Sequence, residues 1–219
     1  MNKAVALITA WGDFDARYPE SSLEDFCRYY LNTNDTKSTA VAKSPWQMPV
    51  STDFVLMRLV GRIYKLHSFY AAIAMDGTGI NTSEEFSLLN AIDGLNEPRK
   101  TEAISKALFE LSTGSDMLSR LKKIGYISEY ADAEDGRSKR LKMTAKGSKA
   151  LATCRKRMNL LAEMEFHDLT TDEKKLCIHL LNTVDNKFSA AWLLHKGKRF
   201  EDIYKEVTAE PVLSAKNNR

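Results

Sequence analysis

Five side chains between Ser112 and Lys123 combine the two chemistries needed to hold an anionic polymer. Ser112, Ser115 and Ser119 supply hydroxyls that donate and accept hydrogen bonds, and Lys122 and Lys123 supply cations. Set 100° apart, as helical residues are, these five fall on one side with Arg120 on the flank. Met117, Leu118, Leu121 and Ile124 fall on the other side, with Gly114 near them. A helix carrying the first face suits phosphate oxygens and base edges and is slim enough to enter a major groove. An ordinary solvated amphipathic face shows the same split, so this stretch alone leaves both readings open.

The residues on either side favour the first reading. Leu141 and Met143 alternate with Arg140 and Lys142, the two-residue period of a strand with one face inward. Tyr126–Tyr130 can oppose it. Between them, Asp132-Ala-Glu-Asp-Gly-Arg137 has turn chemistry, with Gly136 free to take a positive φ. Such a hairpin carries Arg137 at its tip, where a guanidinium suits a narrow, electronegative minor groove, and Asp135 can orient it by an ion pair. Lys139 and Arg140 follow as phosphate contacts, and Arg99 and Lys100 offer two more ahead of the helices. An Asp-Gly-Arg turn is usually a plain surface loop; here a helix-turn-helix pattern precedes it.

Several elements must position these groups. Thr101–Leu108, with Ala103, Ile104 and Leu108 facing in, reads as a short helix before the serine- and lysine-faced one, and Gly114 lets the two approach closely. Gly125 stops the second helix. Thr82-Ser-Glu-Glu85 is a capping-box pattern opening a helix with Phe86, Leu88, Leu89 and Ile92, which Asn96-Glu-Pro98 closes. A long helix is expected over Ser51–Met75, with Leu56, Leu59, Val60, Ile63, Leu66, Tyr70, Ile73 and Ala74 as a broad apolar stripe. Another runs from Ala145 to Phe166. A third, capped by Thr170-Thr-Asp-Glu173, repeats Leu176, Cys177, Leu180, Leu181, Val184 and Phe188 at three- and four-residue spacing. So regular a stripe beside one small module implies a partner surface. A second copy is the economical partner, because two such helices about 34 Å apart read a palindrome in successive major grooves. Leu23–Leu31 is a further helix, capped from Pro19-Glu-Ser-Ser, with Leu23, Phe26, Cys27 and Tyr30 on one side; residues 1–18 are helix or strand.

From Thr82 to Gly147 the chain resembles the MarR family of bacterial transcription regulators. The motif residues are Leu121-Lys-Lys-Ile-Gly125-Tyr-Ile, then Asp132, Asp135, Arg137, Lys139, and Leu141-Lys-Met-Thr-Ala-Lys-Gly147. Two departures stand out: Leu108 to Leu121 is one residue shorter than the usual spacing, and about fifty residues precede the family's first helix. The resemblance implies a mainly α fold, a winged helix-turn-helix with a short β-hairpin wing between long N- and C-terminal helices that form a helical dimerisation region. It also implies an effector pocket between the long helix and the winged module, for which His67 and Tyr70 are candidates, although aromatics often just fill cores. The expected organisation is then residues 1–50 as helical extension and linker, 51–80 and 145–196 as dimerisation region, 81–147 as DNA-binding domain and 197–219 as tail. The expected partners are palindromic double-stranded DNA, a second copy of the chain and a small-molecule effector, in the cytoplasm. The competing reading is a winged-helix protein-interaction module, which has no need of Arg137, Lys139 and Arg140 beside a Ser/Lys face.

Composition agrees with that choice. Residues 99–157 carry fifteen Lys and Arg against seven Asp and Glu, an excess of eight; with the whole chain at +3, the remainder stands at −5. Cation density confined to one module is what a polyanion selects. His67, His167, His179 and His195 form no metal or catalytic array, and no glycine-rich phosphate loop is present, so neither an enzyme nor a cofactor or metal is expected. Cys27, Cys154 and Cys177 lie far apart with no C-x-x-C pair, which argues against a disulfide scaffold or zinc ribbon and suits a reducing compartment; the resemblance adds redox sensing by Cys27 or Cys154 as the alternative to plain packing. No apolar run approaches the length of a membrane span.

Overall fold

The computed structural model describes residues 2–34, 51–132 and 138–209. The chain folds as two compact units, Met1–Leu59 and Val60–Arg219. In the first, residues of undecided type resolve as helix α1 (Lys3–Arg17), followed by α2 (Leu23–Asn34). Asn2 caps α1 by accepting from the Ala4 amide at 3.0 Å. Ser22 and Asp25 cap α2 reciprocally, the Ser22 amide donating to Asp25 at 2.9 Å and the Asp25 amide to Ser22 at 3.2 Å. The pair closes on aromatic rings: Phe14 and Phe26 are buried, with Trp11 edge-on to Phe26 at 4.9 Å and Tyr29 against Phe14 at 5.0 Å. Leu23 and Cys27, expected on the inner side, are exposed, because two helices alone bury only the narrow line between them. The expected linker lies outside the described residues from position 35 onward.

Helix α3 (Thr52–Met75) begins in the first unit and continues into the second. There follow α4 (Ser83–Leu95), α5 (Lys100–Lys106), α6 (Leu111–Lys123), strands β1 (Ile127–Ala131) and β2 (Lys139–Met143), then α7 (Ala145–Glu165), α8 (Thr171–His195) and α9 (Phe200–Thr208). This is the mainly helical, winged arrangement expected, with α9 a helix that the reading of 197–219 as a tail did not anticipate. The core of the second unit draws Ala71 and Met75 from α3, Leu88, Leu89 and Ile92 from α4, Ile104 from α5, Leu118 and Leu121 from α6, Leu141 from β2, and Leu151 and Cys154 from α7. Burial pushes the Cys154 thiol up, which disfavours the thiolate that redox chemistry needs. Cys27 and Cys177 are exposed.

Short polar links set the angles between these elements. Thr82 caps α4 by accepting from the Glu85 amide at 3.1 Å, but Glu85 reaches one residue further back than a capping box requires, accepting from Asn81 at 3.0 Å. Thr144 caps α7 by accepting from the Gly147 amide at 3.0 Å while donating to the Gly125 carbonyl at 2.7 Å, which ties the end of α6 to the start of α7. The Tyr126 hydroxyl donates to Gly79 at 2.6 Å, anchoring the turn after α3.

Leu108 corrects the sequence reading. It is 51% exposed, with φ 58°, rather than inward. Helix α5 ends at Lys106 with paired bonds from Leu108 N to Ser105 O at 3.0 Å and from Phe109 N to Ile104 O at 3.1 Å. That reversal puts Leu108 in the left-handed position usually given to glycine and turns Phe109 toward the core in its place. The same device ends α6, there with Gly125 at φ 79°. It also lets α6 begin at Leu111.

Candidate nucleic-acid interface

Helix α6 is held against α5 by the absence of a side chain. A Cβ on Gly114 would lie 2.6 Å from Ile104 Cγ2 and 2.7 Å from its Cγ1, and Ile104 is a β-branched core residue with little room to turn. Gly114→Ala should therefore destabilise the protein by about 2 kcal/mol and lower Tm by roughly 4–8 °C, read by thermal melting. With Met117, Leu118 and Leu121 buried beneath it, α6 leaves Ser112, Ser119, Lys122 and Lys123 exposed and Ser115 half-buried. The five residues singled out by spacing do share the open face. Asp116 is exposed on the same helix.

The wing pairs Ile127 with Met143, Glu129 with Leu141, and Ala131 with Lys139 on one face, and Ser128 with Lys142 and Tyr130 with Arg140 on the other. Pro98 and Arg99 extend it: the Leu141 amide donates to Pro98 O at 2.9 Å, and Arg99 bridges Arg140. Residues 133–137, and with them Asp135 and Arg137, lie outside the described residues.

Buried carboxylates organise most of the nominated cations. Asp132, its side chain 1% exposed, accepts from Arg99 Nε at 2.7 Å and pairs with Arg140 Nε at 3.2 Å. Arg140 also donates to the Glu97 carbonyl at 3.1 Å. Arg120, on the flank of α6, reaches back to buried Glu85 at the start of α4, so it spans two helices as well as facing solvent. Glu129 accepts from Lys100 at 2.6 Å and Lys122 at 2.7 Å, with Lys139 at 3.9 Å. Burial pushes the Glu129 carboxyl up, and the lysine hydrogen bonds more than offset this, holding it below its ordinary value. Among the described residues Lys123 has no ion-pair partner. Sequence reasoning gave Glu85 only a capping role and Asp132 only a place in the turn and the motif, and it did not single out Glu97 or Glu129; the one signal for Glu129 is that it falls two residues from Ile127 on an alternating strand.

Two residues nominated for a pocket stand apart from this surface. His67 and Tyr70 of α3 line a cavity of about 620 Å³ with Ile63, Leu66, Met164, Glu165, Phe166, Asp168 and Leu169. His67 Nδ1 is 3.1 Å from both oxygens of Glu165 on α7, so the mostly apolar cavity has one polar corner. Among the described residues no group of three or more His, Cys, Asp or Glu is placed to hold a metal ion. No helix among them is long and apolar enough to cross a membrane.

Residues 82–147 match the model of the winged helix DNA-binding domain family. No curated protein gives a significant match. Among solved structures, a MarR protein from Peptoclostridium difficile superposes with a TM-score of 0.61 at 21% identity, covering 68% of this chain and 97% of that one. The PcaV transcriptional regulator of Streptomyces coelicolor, in complex with its natural ligand, gives 0.56 at 21% identity over 64% and 97%. A cysteine-to-serine mutant of MarR from E. coli, complexed with operator DNA, gives 0.55 at 22% over 59% and 92%. At such identities the likeness is one of fold: a winged helix domain within the helical frame of MarR regulators.

Proposed function

We propose that this chain, a winged helix within a MarR-type frame, is a sequence-specific double-stranded DNA-binding transcription regulator that works as a homodimer under the control of a small-molecule effector. The observation that carries the reading is the open Ser112, Ser115, Ser119, Lys122 and Lys123 face of α6, set beside the cations of the wing. In this reading α6 enters the major groove, Lys100, Lys122 and Lys139 meet phosphates, and Arg99, Arg120 and Arg140 brace the surface through their carboxylate partners. The wing residue Arg137 is assigned to the minor groove on its place in the sequence alone.

Dimerisation is supported by helices left uncovered in the single chain. No residue of α8 is buried, although Leu176, Leu180, Leu181, Val184 and Phe188 recur along it. Such a stripe needs an apolar partner, and a two-fold copy supplies one while presenting two recognition helices to a palindrome. For the effector, the cavity lined by His67 and Tyr70 offers apolar walls with a polar corner, the usual make-up of a small-molecule site. A ligand there acts only through a difference in its affinity for the DNA-competent and incompetent spacings of the two α6 helices. The solved complexes of PcaV with its ligand and of MarR with operator DNA support both roles by analogy of fold.

Selection of bound duplexes from a random-sequence pool tests the proposal. A recurrent palindromic motif is the expected product; recovery of no enriched sequence would count against specific recognition. On the enriched duplex, Arg137→Ala should lower affinity about tenfold, in line with the loss of about 1–3 kcal/mol for a groove contact, and leave the dimer mass unchanged. Unaltered affinity would remove Arg137 from the interface.

A further inference from the structure

Alternation along β1 gives position 129 to the inner face of the wing, directly across from fully buried Leu141. An apolar residue would ordinarily fill it, yet it holds Glu129, with its side chain only 7% exposed. A carboxylate so placed needs compensation. It receives this from three ammonium groups on three separate elements: Lys100 at the start of α5, Lys122 near the end of α6 and Lys139 at the start of β2. The lysine side chains themselves stay open, at 38%, 51% and 60% exposure respectively. The anion therefore lies beneath and the cations above it.

Two consequences follow from that layering. An ammonium has three donors, so one directed at Glu129 leaves two facing outward. A lysine stem also loses much rotamer freedom when its head is fixed, and here part of that loss precedes any contact. Three cations over one covered anion keep a local charge of +2, so the site still attracts phosphate while its own carboxylate stays out of reach.

We propose that Glu129 is a positioning residue of the DNA-binding surface, gathering Lys100, Lys122 and Lys139 into one preformed phosphate-binding cluster that fixes the wing and the recognition helix in register on the duplex backbone. The inference rests on the DNA-binding reading above, and goes beyond it by making an acidic residue a requirement for binding a polyanion.

The test uses the full chain and two duplexes, one enriched from a random pool by the wild type and one scrambled version of it, followed by fluorescence anisotropy across a range of KCl. Glu129→Gln should bind the enriched duplex about tenfold more weakly despite the added positive charge. Its slope of log affinity against log salt should flatten by about two, as if two phosphate contacts were lost. Glu129→Asp, which keeps the charge but shortens the reach, should also weaken binding, and it carries the test if thermal melting shows the Gln variant unfolded. In the Glu129→Gln background, Lys122→Gln should cost less than it does in the wild type, because the two act through one cluster. Tighter binding of both duplexes by Glu129→Gln, with a steeper slope, would overturn the proposal and leave Glu129 as a brake on lysine charge. Unchanged affinity in both variants would overturn it as well. Wild-type protein that enriches no duplex from the pool would remove the DNA reading itself, a separate failure.

Discussion

Raising KCl from about 50 to about 200 mM should lower the affinity of this protein for duplex DNA by about 10³- to 10⁴-fold. The open cations on the face of α6 and beside it are Lys100, Lys122, Lys123 and Lys139. Three or four phosphates met by each of two protomers make roughly six to eight contacts, each releasing about 0.9 of a counterion. Arg99, Arg120 and Arg140 are left out of that estimate because each is turned toward a carboxylate, Asp132 or Glu85, that is nearly without exposed surface. If these arginines turned from their carboxylates to the phosphates on binding, the slope would be steeper. Titration of a fluorescent duplex at several salt concentrations reads the slope directly, and a flat response would be incompatible with a surface built from lysines.

Leu180→Asp should change the mass by light scattering from about twice 24.7 kDa to that of one chain, and should weaken binding to a palindromic duplex at least a hundredfold. Leu180 is 51% exposed in the single chain, within a stripe where Leu181 and Val184 are 53% exposed and Phe188 45%. Covering the remaining half of each such side chain is worth about 1 kcal/mol. A two-fold interface counts the substitution twice, and a carboxylate placed in it also has to be desolvated. Loss of the dimer halves the phosphate contacts available to one binding event, which accounts for the fall in DNA affinity. The winged helix does not draw on α8 for its core, so circular dichroism should show helical content close to that of the wild type. A variant that stays dimeric would show that the stripe meets something other than a second copy.

How much of this surface could be read from one chain is clearest in α6. Its two faces follow from a 100° step, a local property, and Ser112, Ser119, Lys122 and Lys123 are exposed where the step puts them. Gly114 beside the preceding helix, Gly125 at the helix end and Thr170 as a cap were legible for the same reason, since each acts on neighbours within a few residues or on the adjoining helix. Leu108 was not legible. Helical periodicity assigns it inward, but the reversal that ends α5 occurs through hydrogen bonds that a periodicity argument does not see.

What the sequence determined by itself is the order of helices and hairpin from α2 to α8, the polar face of α6 and the confinement of positive charge to the winged segment. These depend on the local geometry of the backbone and on a count of side chains. Only the tertiary structure decided which cations stand open and which are matched. Arg120 meets Glu85 across 35 positions and Arg99 meets Asp132 across 33, and a pairing at such separation arises only when packing brings separate elements together. The placement of Glu129 beneath three lysines belongs to the same class: a charge buried in the wing takes its partners from whichever helices the core happens to seat beside it.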